Sequence, residues 1–234
     1  MKAAIVVFPG SNREQDAKAA LSKAALAQTL GTEPVMVWHR DSELPKVDLV
    51  LVPGGFSYGD YLRTGAIAAH SPILREVKAR ADKGMAVIGI CNGFQIITEA
   101  GMLPGVLLRN SHLKFVCRNV HLKVATTQTL FTSRYEKDQV LSVPVAHHDG
   151  NYFVDDKTLG EMEANDQVAF RYCAPDGNVA IEHNPNGSLR NIAGVFNRTK
   201  NVLGMMPHPE NAIDPLQGST DGFALFQGMV EALS

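Results

Sequence analysis

Met85-Ala86-Val87-Ile88-Gly89-Ile90-Cys91-Asn92-Gly93-Phe94-Gln95 is an apolar run that breaks at a Gly-x-Cys-x-Gly turn and continues into a helix-like stretch ending near Ala100. Strand, tight turn carrying a nucleophile, then helix is the grammar of a nucleophile elbow. The flanking glycines suit a turn too sharp for side chains beside it. Cys91 then stands at the carboxyl edge of a sheet and at the amino end of a helix. The partial positive charge and free N–H groups there favour a thiolate.

Outward from the elbow, strand-like and helix-like stretches alternate. Ala3–Phe8 is a continuous apolar run, as expected of a strand covered on both faces. After the turn Pro9-Gly10-Ser11-Asn12, residues Glu14 to Leu30 are Ala/Leu/Lys-rich and read as a helix. Val35–Trp38 and Leu49–Val52 read as strands, the second ending in Pro53-Gly54-Gly55-Phe56. Residues 63–83 are mostly helical, interrupted at Ser71-Pro72, where Pro fits the first turn of a new helix. This rhythm predicts an α/β fold with a mostly parallel central sheet and helices on both faces.

Beyond about residue 105 the pattern changes. Phe115–Thr126, Val140–Ala146, Val168–Cys173 and Ser188–Phe196 are separated by turn-rich segments such as Ala174-Pro175-Asp176-Gly177-Asn178. They predict a meander of antiparallel or mixed strands, a strand-rich insertion. Val202–Met206 supplies another strand, and Ser219–Leu233 a closing helix with Ser219 and Thr220 near its start. Without repeat, low-complexity tract or linker, residues 1–234 read as one domain.

Bulk properties narrow the function. Across 234 residues, 45% hydrophobic and 20% charged content describe an ordinary globular chain. A formal charge of −2 gives no reason to expect nucleic acid or an anionic membrane as partner. No apolar run approaches the roughly 20 residues that span a bilayer. Met1 to Phe8 reads as a buried strand and not as a signal peptide. Three widely spaced cysteines make no disulfide framework and suit a reducing cytoplasm.

The remaining chemistry-bearing residues each have a plainer role to compete with. His208-Pro209-Glu210 follows the strand Val202–Met206. In an extended chain His208 and Glu210 project to the same side, so Glu210 can orient the imidazole while the other nitrogen serves Cys91. By itself the tripeptide is a surface loop; with the elbow it is a triad candidate. Gly54 and Gly55 let the backbone approach a ligand and turn N–H groups toward a developing oxyanion, and the N–H of Asn92 is the natural second donor. Gly10-Ser11-Asn12 lacks the Gly-x-Gly-x-x-Gly and Walker A patterns, so helix capping is preferred there over a phosphate cradle. Cys117 and Cys173 lie in strand-like runs and read as buried structural cysteines. His147 and His148 point to opposite sides of an extended chain, which argues against a metal pair; a rim contact or a solvated loop remains. His112 and His121 carry no spacing signal.

These residues resemble the class I, triad-type glutamine amidotransferases, and within them the glutaminases that serve formylglycinamide ribonucleotide amidation in purine biosynthesis. The likeness covers essentially the whole chain. It rests on Phe8-Pro9-Gly10-Ser11-Asn12, Gly54-Gly55-Phe56-Ser57-Tyr58-Gly59-Asp60, Cys91-Asn92-Gly93-Phe94-Gln95, Leu108-Arg109-Asn110, Met205-Met206-Pro207-His208-Pro209-Glu210 and Ser219-Thr220-Asp221-Gly222. The resemblance implies a flavodoxin-like class I glutaminase fold. It implies Cys91 as nucleophile, His208 as base and Glu210 as its orienter. Gly55 and Asn92 would supply oxyanion N–H groups, and Gln95 would hold the glutamyl portion of the substrate. It further implies glutamine as substrate and a larger ATP-using synthase subunit as recipient of the ammonia, with ATP and Mg on that partner, together with a small accessory subunit. No cofactor or metal is expected in this chain.

The family pattern is departed from at Asn211, where Arg is common, and at His147-His148-Asp149-Gly150, where His-Gly-Glu-Gly is common. Two alternatives stand beside this reading. A related Cys peptidase or deglycase would carry His directly after the nucleophile, where Asn92 stands. A flavodoxin-like binding module would use Gly10-Ser11-Asn12 for a phosphate.

Overall fold

The computed structural model describes residues 1–29 and 33–234. In chain order the elements are β1 (Ala3–Val7), α1 (Glu14–Ala27), β2 (Val35–Trp38), β3 (Leu49–Val52), α2 (Ala66–Ala69), α3 (Pro72–Ala81), β4 (Ala86–Ile90) and α4 (Asn92–Glu99). Then come β5 (Val106–Leu108), β6 (Val116–Val124), β7 (Val140–His147), β8 (Asn151–Phe153), α5 (Asp156–Ala164), β9 (Val168–Cys173), β10 (Ile192–Phe196), β11 (Val202–Met205) and α6 (Phe223–Ala232). The helix expected over 14–30 ends at Ala27 among the described residues; Leu30 lies outside them.

Among the described residues, nine strands form one sheet in the order β2-β1-β3-β4-β11-β10-β9-β6-β7. The first five pair in parallel, and the pairings from β11 onward are antiparallel. The expected strand-rich insertion therefore does not form a separate layer. It lengthens the parallel sheet into a mixed one. The β1-to-β2 crossover runs one way along the sheet and the β3-to-β4 crossover the other. Right-handed crossovers then place α1 and α3 on opposite faces. α6 packs on α1, and α4 covers β3, β4 and β11. β3, β4 and β11, covered on both sides, are buried throughout, whereas β7 alternates buried and half-buried residues as a one-faced strand does.

Two features of the sheet shape its carboxyl edge. The first is a pair of glycines. Gly89 of β4 and Gly204 of β11 are register partners, and together they make a groove for α4. A Cβ on Gly89 would stand 2.7 Å from Ile97 Cδ1, and one on Gly204 would strike the Phe94 ring. Phe94 is fully buried, stacks on Tyr152 at 5.9 Å and anchors the helix. Burying such a side chain contributes about 2 kcal/mol. The second is that the antiparallel half curls back. Pro144 lies on the edge strand β7, where a missing N–H is tolerated, and its carbonyl accepts from the His208 N–H at 2.8 Å. The far edge of the sheet thus closes onto the carboxyl ends of β4 and β11.

Local differences from the sequence reading have clear causes. β5 and β8 pair as a small separate ribbon, and α5 forms between β8 and β9, where the sequence reading placed only turns, with Asp155 accepting from Thr158 N as its cap. Ser188 leads into a 3-10 turn over Leu189–Asn191 before β10 begins at Ile192. α6 starts at Phe223, after Gly222, so Ser219 and Thr220 are not its caps; Ser219 Oγ accepts from Asp221 N in the preceding turn.

Candidate active site

Cys91 occupies the turn between β4 and α4 with φ 51° and ψ −107°, a region L-residues rarely enter. The strain falls on the cysteine and not on its glycine neighbours. Gly93 is required for a different reason: a Cβ there would collide with the Val52 carbonyl of β3. The turn is held by Cys91 N donating to Met205 O (2.8 Å) and by Gln95 N donating to Cys91 O (3.2 Å). Cys91 is buried, and its Sγ lies 3.6 Å from the Ala146 carbonyl on β7.

His208 and Glu210, far along the chain, arrive at the same place. His208 Nδ1 and Glu210 Oε1 are 2.7 Å apart, both side chains nearly inaccessible. The pair meets through a 3-10 turn over Pro209–Asn211, not across the extended chain that the sequence suggests. Pro209 begins that turn, which is where proline is tolerated. Burial pushes the imidazole's pKa down, but the Glu210 carboxylate and Cys91 push it up and prevail. Nε2 makes no hydrogen bond, yet Cys91 is near enough to contribute to that rise. Cys91, His208, Gly55, Asn12, Arg13, Phe56, Phe115, Cys117 and Ala146 line one cavity of about 260 Å³.

Gly55 lines this cavity, and Gly54 packs against two of its lining residues, His208 and Arg13. Gly54 faces the His208 ring, where a Cβ would come within 2.8 Å of Cε1. Gly55, at φ 150°, lies against Gly10 and Ser11, its Cβ position 2.7 Å from Gly10 O. Phe56 N donates to Gly10 O (2.8 Å), Tyr58 N to Pro9 O (2.7 Å) and Asn12 N to Gly54 O (3.3 Å). The 10–12 turn therefore buttresses the glycine loop. The Ser11 and Asn12 N–H groups are used internally, on Phe8 O and Gly54 O, and so are not turned toward a phosphate. Nor does Ser11 cap α1: Arg13 precedes that helix without a side-chain cap, and Ser11 Oγ accepts from Phe8 N.

Asn92 does more than the sequence suggested. Its Oδ1 accepts from Ser57 N (3.0 Å) and its Nδ2 donates to Gln95 Oε1 (2.9 Å), tying the glycine loop to the elbow. Gln95 Nε2 donates in turn to Asp149 O (2.7 Å). Asp149 borders a second cavity of about 420 Å³ with Asp60, Arg63 and Arg109. Burial, and then the neighbouring Asp149 charge, lift the Asp60 pKa to about 6.

Several residues escaped the sequence reading. Cys117 is exposed and lines the Cys91 cavity, not buried as expected, because the first half of β6 projects past the covered sheet. Cys173 is buried, as expected. His147 and His148 do point apart. His147 is buried on Asn186 Nδ2 (3.0 Å), and burial, then His208 and His112, push its pKa to about 3. His148 is half-exposed beside Asp149 (3.1 Å). Asn110, fully buried, stitches Lys114 O, His147 O and Gly150 N together behind the site. Among the described residues no group of three or more His, Cys, Asp or Glu is arranged to hold a metal ion.

Residues 1–227 match the family model of the CobB/CobQ-like glutamine amidotransferase domain. The chain is 57% identical over 235 residues to the phosphoribosylformylglycinamidine synthase subunit PurQ of Rhodospirillum rubrum, covering 100% of both chains. It is 54% identical to the subunit of the same name from Rhodopseudomonas palustris strain BisB18, covering 100% of this chain and 99% of that one. Among solved structures, a chain of PurLQS from Thermotoga maritima superposes with a TM-score of 0.85 at 41% identity, covering 100% of this chain and 99% of that chain. A strained cysteine elbow, a buried histidine–carboxylate pair and full-length similarity on all three counts converge: the chain belongs to the CobB/CobQ-like glutamine amidotransferase family.

Proposed function

We propose that Cys91, His208 and Glu210 hydrolyse glutamine to glutamate and ammonia, with backbone N–H groups of Gly55 and Asn92 as the oxyanion hole. Cys91 Sγ attacks the side-chain amide carbon. The oxygen that gains charge is received by N–H groups at the glycine loop and at the start of α4, where helix N–H groups have no intrahelical partner. His208, held by Glu210, donates a proton to the departing nitrogen, and ammonia leaves a glutamyl thioester. A water, deprotonated by the same imidazole, releases glutamate and frees Cys91. Gln95 holds the glutamyl portion of the substrate on the side of Asp149. The observation that carries this reading is the cavity lined by both Cys91 and His208, with Glu210 behind it 2.7 Å from the His208 ring.

The activity is that of the glutaminase subunit of a glutamine-dependent carbon–nitrogen ligase in purine biosynthesis. Its ammonia passes to a larger synthase subunit that uses ATP and Mg to convert formylglycinamide ribonucleotide to the amidine, with a small accessory subunit in the assembly. Phe56 and Phe115, both about half exposed at the cavity mouth, offer an apolar rim for that docking. The chain works as one domain in the cytoplasm. Among the described residues no helix is long and apolar enough to cross a membrane.

Treatment with a glutamine-mimicking diazoketone, followed by peptide mass spectrometry, tests the assignment. The adduct is expected on Cys91; an adduct on Cys117, the other thiol of the cavity, refutes it.

A further inference from the structure

The glycine loop runs on into three consecutive residues of positive φ: Tyr58 at 56°, Gly59 at 74° and Asp60 at 52°. Two of them carry side chains, and each such residue costs on the order of 1 kcal/mol to hold there. A segment of this kind persists only where its surroundings over-determine it. Part of the restraint is Ser57 N on Asn92 Oδ1, and part is Tyr58 N on Pro9 O. The rest is a contact far from the chemistry. Tyr58 Oη lies 2.7 Å from Nδ1 of His39, the residue after β2.

His39 is itself immobilised. It is buried, its N–H donates to Val7 O (3.0 Å), and its ring lies 5.9 Å from Phe8 and edge-on to Trp38 at 4.5 Å. The Tyr58 ring meets it edge-on at 5.4 Å. Burial lowers the imidazole's pKa and raises that of the phenol, which disfavours charge on either ring and leaves the two joined by a short hydrogen bond. The loop that presents Gly55 is thus suspended between the elbow at one point and the ends of β1 and β2 at another.

We propose that the Tyr58–His39 hydrogen bond is a positioning clamp for glutamine hydrolysis, holding the Gly55 loop at the height where the oxyanion forms. The inference rests on the catalytic reading above. Neither residue touches the substrate; both act through the loop. The clamp predicts damage to steps that charge a carbonyl oxygen and none to simple alkylation of the thiol.

The test compares wild type, Tyr58→Phe, His39→Leu and His39→Gln in the assembled synthase. Measured are kcat and KM for glutamine, ammonia-dependent turnover, and the rates of Cys91 labelling by the diazoketone and by iodoacetamide. Tyr58→Phe and His39→Leu are expected to lower kcat and diazoketone labelling about tenfold, a modest share of what losing a whole oxyanion donor costs. KM, iodoacetamide labelling and ammonia-dependent turnover should stay within about twofold, and His39→Gln, which keeps an acceptor, should recover most of the loss. Wild-type kcat in Tyr58→Phe, equal loss with both reagents, or His39→Gln as impaired as His39→Leu overturns the clamp alone. Wild-type protein labelled elsewhere than at Cys91 overturns the clamp together with the catalytic reading.

Discussion

Gly54→Ala tests whether the His208 ring is held where the chemistry needs it. Gly54 is not in the left-handed region, so its backbone accepts alanine without strain, and the methyl group itself is the perturbation. That methyl would stand 2.8 Å from His208 Cε1 and 3.3 Å from Arg13 Cγ, whereas ordinary contact begins at 3.4 Å. Arg13 is half-exposed and can give way. His208 cannot withdraw freely, because Glu210 grips Nδ1 and Pro144 O holds its backbone N–H. The ring must therefore shift by about half an ångström. A misplacement of about 1 Å costs a catalytic group on the order of 100-fold. The expected loss in kcat for glutamine is therefore about tenfold, or about 1.4 kcal/mol of transition-state stabilisation. The assay is steady-state glutamate release by the assembled synthase, with ammonia-dependent turnover as the control for folding. A Gly54→Ala enzyme with wild-type kcat would refute the reasoning, since it would mean that the imidazole tolerates displacement and is not the working base.

Other perturbations give distinct signatures. Gly93→Ala drives a methyl into the Val52 carbonyl, a backbone atom that cannot move aside, and is expected to destabilise the fold by about 3 kcal/mol, read as a large drop in Tm. Asn92→Ala leaves Ser57 N–H buried without its partner and frees Gln95; a loss of about 1–3 kcal/mol in denaturant unfolding is expected, together with reduced glutamine turnover. Because His208 has a folded-state pKa above its usual value, the stability that its charge contributes is present below pH ~6.5 and is lost as pH rises through the raised value. Glu210→Gln removes the largest upward influence on that pKa. NMR should then show the imidazole titrating at lower pH, and an unchanged titration would contradict the assigned pairing.

The elbow was legible because its grammar is local: an apolar strand, two small residues and a helix start sit within about a dozen positions. The His208–Glu210 pairing was legible once His208-Pro209-Glu210 was set beside it, although the turn that brings the pair together was not. Hydrophobic runs marked the parallel core, since strands buried on both faces read as continuous apolar segments. What stayed hidden depends on contacts distant in sequence. Nothing in Phe115–Thr126 shows that β6 and β7 extend the same sheet and curl its edge back over Cys91, and so Cys117 was read as buried when it borders the cavity. Gly89 was understood as a turn glycine, but its register partner Gly204 shows that it makes room for α4. Ser11 has the residue type of a cap, yet its hydroxyl serves Phe8 because Gly55 and Phe56 pack against the same turn.

The central claim is that Cys91 is the nucleophile that liberates ammonia and takes no part in using it. Cys91→Ala in the assembled synthase tests this most directly, with turnover measured once with glutamine and once with ammonium as nitrogen source. Glutamine-dependent turnover should vanish while ammonia-dependent turnover persists. Retained glutamine-dependent turnover, or loss of both activities together in a folded complex, would contradict it.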